Sequence, residues 1–225
     1  SRAVALKRIL PKLLKYASIK KRFLSEAKIA AQLTHPSIIP IYSLSVDEEQ
    51  IYYTMPYIEG DTLKSILRKN REKEKTGESS CLVGSSIPAL IRIFLSVCQA
   101  MHYTHSKGFL HRDLKPENIM VGKFGEVLIL DWGIALPMEE MQTEEGEITF
   151  DASESSDLTK PGKVVGTVGY MAPERALGQP SNIQTDIYSL GVMLYQLLTL
   201  RLPFIRPSLR EFKKKMQHER WVEPQ

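Results

Sequence analysis

The sequence predicts an α+β fold in two parts, a small sheet carrying one long helix and then a larger, mainly helical part. Three observations carry that prediction. Val4-Ala5-Leu6-Lys7-Arg8-Ile9 alternates apolar and polar residues with the period of a strand. Ile19, Phe23, Ala27, Ala30 and Leu33 recur at spacings of three and four, which gathers them on one face of a helix. Beyond the connection from Pro56 to Gly60 the pattern turns helical, with its strongest segment from Ser86 to Lys107. The boundary is therefore drawn between a first unit, 1–58, and a second, 59–225.

The remaining elements follow in order. Thr34-His35-Pro36 stops the first helix, because a proline disfavours helical geometry in the residue before it. Ile38-Ile39-Pro40-Ile41-Tyr42 and Gln50 to Met55 then read as two more strands around the acidic turn Asp47-Glu48-Glu49. In the second unit a polar insertion from Arg68 to Ser80 interrupts the helical pattern. A hairpin comes after Lys107: Ile119-Met120-Val121, the turn Gly122-Lys123-Phe124-Gly125, and Glu126 to Leu130 ending on Asp131. That hairpin would bring Asn118 and Asp131 to the same end of two strands. Between Met138 and Asp157 the chain is acidic and poor in bulky apolar residues (Glu139, Glu140, Glu144, Glu145, Glu147, Asp151, Glu154, Asp157), which predicts a mobile loop. Helix resumes near Asp186 and runs through Leu198. No internal repeat or sustained heptad is present, which excludes solenoids and rods.

Composition narrows the class further. With 225 residues, 43% hydrophobic and 25% charged, the chain is long enough for a well-buried core and unlike collagen, coiled coils or disordered proteins. Thirty Lys and Arg against 26 Asp and Glu leave a formal charge of +4, too even a balance to imply a nucleic-acid partner. Cys81 and Cys98 are too few for a disulfide framework and lack metal-ligand spacing, which fits a reducing cytosol. No apolar run approaches the roughly 18 residues of a membrane span, so no membrane segment is expected in this chain. The first residues enter a strand pattern with no methionine or signal peptide, so the chain looks cut from something longer.

The chemistry concentrates in His111-Arg112-Asp113-Leu114-Lys115-Pro116-Glu117-Asn118. If the hairpin forms, Asn118 and Asp131 supply two hard oxygen ligands suited to Mg²⁺, which relies on water and substrate phosphates for the rest of its octahedron. Asp113 would face the same cleft as an acceptor able to orient a hydroxyl nucleophile, and Lys115 would neutralise developing phosphate charge. In the first unit, Glu26 lies on the inward face of its helix and needs a cation. Lys7 is the best placed, and a compact ammonium held there can be aimed at a phosphate.

These residues, together with Val4-Ala5-Leu6-Lys7, Asp131-Trp132-Gly133, Gly166-Thr167, Ala172-Pro173-Glu174 and Asp186, occur in the order and approximate spacing of protein kinases. From about Ser1 to Phe204 the sequence resembles a bacterial eukaryotic-like Ser/Thr protein kinase, and Tyr52 to Gly60 and Pro161 to Glu174 look most like its chlamydial members. The resemblance implies a two-lobed fold that lacks the first two strands, with their Gly-rich loop, and the last helices. It implies that Lys7 pairs with Glu26 and contacts the α and β phosphates of ATP, that Asp113 is the catalytic base, and that Lys115 reaches the γ phosphate. Asn118 and Asp131 would bind Mg²⁺ or Mn²⁺. Ala5 and Met120 would sandwich the adenine, Met55 would be the gatekeeper, and the backbone of Pro56 and Ile58 would hydrogen-bond the base. Thr167 would contact Asp113 and Lys115 from the substrate loop. Arg112 would pair with a phosphorylated residue of the activation loop, 131–174, where Thr149, Ser153, Ser155, Ser156 and Thr159 are candidates. Asp186 would cap its helix and brace the catalytic loop, and Glu174 would pair with an arginine beyond this chain.

By the same resemblance the activity is transfer of the ATP γ-phosphoryl group to Ser or Thr hydroxyls of protein substrates, with autophosphorylation in the full-length protein. Activation in trans would need at least a transient dimer, and the domain would be cytoplasmic, with any membrane tether outside these residues. Pro56 and Trp132 depart from the usual acidic residue and Phe; the first position offers only its carbonyl, and the second changes only the packing behind the metal carboxylate. The competing reading is a catalytically silent kinase-like binding or scaffold module. Intact Lys7, Asp113 and Asp131 argue against it, while the missing Gly-rich loop argues that these residues alone are inactive. A small-molecule phosphotransferase is a third reading, against which Gly166-Thr167 and Ala172-Pro173-Glu174 favour a protein substrate. His102, His105 and His218 are expected to be ordinary helix or surface histidines.

Overall fold

The alternation at the start of the chain becomes strand β1 (Val4–Arg8), paired antiparallel with β3 (Ile51–Pro56), which in turn pairs with β2 (Ser43–Val46). The strand order is β1-β3-β2, so β1 lies at an edge of this sheet. The structure, a computed structural model, describes residues 3–47, 49–76, 86–138, 168–204 and 208–212. Helix α1 (Ala17–Gln32) covers one face of the sheet, burying Phe23 and Ala27 against Ile9, Ile51 and Tyr53. The register sets Ala5 opposite Met55 and Lys7 opposite Tyr53, and so delivers the Lys7 side chain to the face that α1 covers.

The strand predicted over 38–42 does not form. Pro40 has no N–H to donate to a ladder. The segment instead threads between the two parts of the molecule: Ile38 makes an isolated bridge to Ile129, Ile129 N–H donates to the Ser37 carbonyl at 2.8 Å, and Ile38 and Ile39 are buried. Strand β2 begins only after it, at Ser43.

The second unit contains β4 (Gly60–Thr62), β6 (Ile119–Gly122) and β7 (Val127–Ile129) in the order β4-β6-β7, and the short pair β5 (Phe109–Leu110) and β8 (Leu136–Pro137). Its helices are α2 (Leu63–Thr76), α3 (Ile87–Ser106), the single turn α4 (Pro173–Ala176) and α5 (Ile183–Thr199). The expected interruption at Arg68 is absent, and α2 continues to Thr76. Arg, Lys and Glu are good helix formers; only Leu63, Ile66 and Leu67 are buried, so the polar residues that follow project into water without a break. The Ser86 side chain caps α3 by accepting the Ala89 N–H. Val97, Met101, Met193 and Leu197 pack α3 on α5, and the same buried cluster takes in Ile29 and Ala30 of α1 and Leu33 just after it, so one core runs from the first unit into the second. Among the described residues no helix is long and apolar enough to cross a membrane.

The start of the second unit is fixed by backbone contact. Lys123 N–H donates to the Glu59 carbonyl at 2.8 Å, and a Cβ at Gly60 would sit 2.1 Å from the Val121 carbonyl oxygen. Gly60→Ala therefore has to separate β4 from β6. It is expected to destabilise the protein by about 2–3 kcal/mol, read as a lowered urea midpoint.

Candidate active site

The first half of the site grows out of α1 and the first sheet. Glu26, 5% exposed, stands on the inward face of α1 where the helical spacing puts it, and its Oε1 accepts hydrogen bonds from the Lys7 ammonium and from the Tyr53 hydroxyl, the latter at 2.7 Å. Lys7 also lies 3.4 Å from Asp131 Oδ1, so one ammonium faces two carboxylates from different parts of the chain. Arg22, one turn before Glu26, donates from Nε to the Gly133 carbonyl at 2.8 Å and fastens α1 to the segment after Asp131.

The second half is a loop between β5 and β6 that would not hold its shape alone, since Arg112 has φ of 69°, a left-handed conformation that a long side chain rarely adopts. Its clamp is Asp186, fully buried in α5. One carboxylate oxygen accepts from the Arg112 N–H at 2.8 Å, and the other accepts from the His111 N–H at 2.9 Å and lies 2.9 Å from His105 Nε2. On the other side of the same residue the guanidinium of buried Arg175 donates to the Arg112 carbonyl. Burial and the neighbouring Arg112 charge bring the Arg175 pKa down to about 10. His111 is buried, stacks on Trp132 with ring centroids 4.7 Å apart, and accepts the Asp113 N–H at Nδ1.

Within this frame Asp113, Lys115 and Asn118 meet. The Lys115 ammonium donates to Asp113 Oδ2, and Asn118 Nδ2 donates to the Asp113 carbonyl at 2.9 Å and to Oδ2 at 3.2 Å. With the amide nitrogen committed to Asp113, Asn118 Oδ1 is the atom left for a cation. The hairpin forms as predicted. Leu130 N–H donates to the Asn118 carbonyl at 2.8 Å, which carries Asp131 to the same end as Asn118. Asp131 also has a left-handed backbone, with φ of 58°, and its side chain is 48% exposed. Burial pushes the Asp131 pKa up, but the Lys7 charge and hydrogen bond, His111 and the Gly133 N–H outweigh that and hold it below the ordinary carboxylate value, so the group is an anion at neutral pH.

Lys7, Glu26, Met55, Asn118, Asp131 and Trp132 line one cavity of about 270 Å³. Ala5, Pro56, Ile58 and Met120 do not line it; Ala5 and Pro56 lie on paired strands above, and Met120 faces Thr62 and Leu128 in the second sheet. Thr167, the candidate phosphorylation sites Thr149, Ser153, Ser155, Ser156 and Thr159, and the acidic stretch 139–157 lie outside the described residues.

The sequence model described as protein kinase domain matches residues 1–223. The chain belongs to the protein kinase family. Serine/threonine-protein kinase PknD of Protochlamydia amoebophila (strain UWE25) is 59% identical over 99% of this chain and 23% of its own length. PknD of Chlamydia trachomatis serovar L2b (strain UCH-1/proctitis) is 50% identical over 94% of this chain and 23% of its own, and PknD of Chlamydia pneumoniae is 48% identical over 92% and 22%. This kinase chain thus spans under a quarter of the length of the curated relatives it matches. Kinases of this family use ATP and a divalent metal and act on proteins, as the resemblance read from the motifs implied.

Two expectations need correction in this kinase. Asp186 is not the cap of its helix; Asn182 is, in a reciprocal capping box with Thr185, and Asp186 lies one turn inside, where its carboxylate holds the loop between β5 and β6. His105 is not an ordinary helix histidine, since it is the third partner of that carboxylate. Glu174 accepts from Thr185 Oγ1 at 2.7 Å within this chain. Tyr53 and Arg175 are not legible in the sequence because each acts through a contact far away in it, and Arg22 reads there only as part of a basic cluster, with Lys12, Lys15, Lys20 and Lys21, expected to be a solvated face. The one available signal was the alternation of β3, which puts Tyr53 on the face that carries Lys7.

Proposed function

We propose that residues 1–225 are the nucleotide-binding and phosphoryl-transfer part of a kinase that moves the γ-phosphoryl group of ATP to Ser or Thr hydroxyls of protein substrates. The observation that carries this reading is the approach of Lys7 to Asp131, 3.4 Å apart, at a cavity also lined by Asn118. Cation and oxygen donors brought together from the two units are what a triphosphate and its metal require. Asn118 Oδ1 and the Asp131 carboxylate would hold Mg²⁺ or Mn²⁺, which when bound neutralises phosphate charge.

On this reading each residue has a task, at the cavity for Lys7, Met55, Asn118 and Asp131 and outside it for Ala5, Pro56, Ile58 and Met120. Lys7, steadied by Glu26, offers its ammonium to the α and β phosphates, while Met55 bounds the cavity from the sheet. Ala5 and Met120 close on the adenine, and the backbone at Pro56 and Ile58 bonds to its edge. Asp113, with one oxygen occupied by Lys115 and Asn118, accepts the proton of the substrate hydroxyl. Lys115, already beside that carboxylate, stabilises charge on the phosphoryl group as it moves. Thr167 steadies Asp113 and Lys115 from the substrate side, and Arg112 receives a phosphate on the activation loop, 131–174. Autophosphorylation in trans, through a transient dimer, and a cytoplasmic location with any tether outside these residues belong to the same reading. A silent scaffold would have no use for the intact Lys7, Asp113, Asn118 and Asp131.

The test is transfer of labelled γ-phosphate by the full-length protein to a basic protein substrate. Chelation of divalent metal is expected to abolish transfer and Mg²⁺ to restore it, with label recovered on phosphoserine or phosphothreonine. A folded protein that binds ATP yet transfers nothing with Mg²⁺ or Mn²⁺ would establish the scaffold reading instead.

A further inference from the structure

Tyr53 lies beside both members of the Lys7–Glu26 pair. The register of β1 on β3 puts Tyr53 directly opposite Lys7, with the ammonium 5.9 Å from the ring centroid. The ring packs on Phe23 of α1 at 5.1 Å between centroids, which fixes where its hydroxyl points, and that hydroxyl donates to Glu26 Oε1 at 2.7 Å. Tyr53 is 4% exposed and Glu26 5%, so water does not replace either partner. Burial first, then the charge and hydrogen bond of Glu26 and the charge of Asp131, hold the phenol well above its usual pKa, which keeps it a donor at neutral pH.

The consequence lies in how Glu26 is satisfied. Its charge partner Lys7 is shared with Asp131 and is drawn toward a phosphate whenever one is bound. A buried carboxylate with only that departing ammonium would swing after it or hold it back. A second donor at the same oxygen leaves Glu26 anchored when Lys7 extends. We propose that Tyr53 is a positioning residue for the Lys7–Glu26 pair, its hydroxyl fixing the Glu26 carboxylate so that Lys7 reaches the phosphates of a bound nucleotide from a set origin. This rests on the reading of the cavity as a nucleotide site.

The experiment is a double-mutant cycle of ATP affinity with Tyr53→Phe and Glu26→Gln in the full-length protein, beside crystal structures of the wild type and Tyr53→Phe without nucleotide. Tyr53→Phe keeps the ring and its packing on Phe23, so its Tm should stay within about 2 °C of wild type. Its Kd for ATP is expected to rise about tenfold, with no further rise when it is added to Glu26→Gln, and its structure to show Glu26 displaced. Equal affinity in wild type and Tyr53→Phe, or the same loss with and without Glu26→Gln, overturns the proposal. A wild type that binds no ATP defeats the nucleotide reading on its own. In that case a Glu26 unmoved in the Tyr53→Phe crystal overturns the positioning role as well, and a displaced one upholds it.

Discussion

Asp113→Asn is expected to lower kcat by about 10³-fold and to leave the Kd for ATP unchanged within about twofold, if Asp113 is, as proposed, the proton acceptor for the substrate hydroxyl and does not touch the nucleotide. The structure says why the loss should be clean. Asp113 is held by its own backbone, whose N–H donates to His111 Nδ1 and whose carbonyl accepts from Asn118 Nδ2, so the loop does not depend on the side chain for its shape. The carboxylate meets Lys115 and the Asn118 amide, both donors. An asparagine can turn its oxygen toward them, and what disappears is basicity. Single-turnover transfer beside ATP titration checks this; a loss confined to ATP affinity would move Asp113 out of the base role and into binding.

Asp186→Ala is expected to act on the fold. Its carboxylate is fully buried and satisfies the His111 and Arg112 N–H groups and His105 at 2.8–2.9 Å. Removal leaves one buried and one part-buried backbone donor and a part-buried ring nitrogen without this partner, at about 1–3 kcal/mol for each orphaned group, and frees Arg112 from its left-handed conformation. A total destabilisation of about 3–5 kcal/mol is expected, enough to unfold a large part of a marginally stable domain. Asp186→Asn keeps the shape but turns an N–H toward donors, so it should recover only part of the loss. Urea unfolding of both variants is the measurement, and a midpoint unchanged in Asp186→Ala would mean that the loop is held by Arg175 and His111 alone.

The two expectations differ in how far they were legible in the chain. Asp113 was readable from its neighbours, because His111 to Asn118 is a contiguous run in which spacing alone places a carboxylate, a cation and a carboxamide within reach of one another. The hairpin that joins Asn118 to Asp131 was readable for the same local reason, a four-residue turn between two apolar runs. Helix α1 and the inward face of Glu26 followed from periodicity. The strand expected over 38–42 failed because Pro40 cannot donate to a ladder and because the buried isoleucines find partners in β7 rather than in the first sheet. The early end expected for α2 failed because polarity without a glycine or proline does not stop a helix made of good helix formers.

By itself the sequence determined the α+β class, the family and the identities of the charged residues that meet at the cavity, because these depend on spacings of a few residues along the backbone. Only the tertiary structure decided what holds those residues. Tyr53 reaches Glu26 across 27 positions, Arg175 reaches Arg112 across 63, and Asp186 reaches Arg112 across 74. Periodicity says which face a side chain leaves from, but not which atom it meets once helix and sheet have packed. A buried donor or acceptor must be matched, and the match is set by where the packed elements place it rather than by its neighbours in the chain.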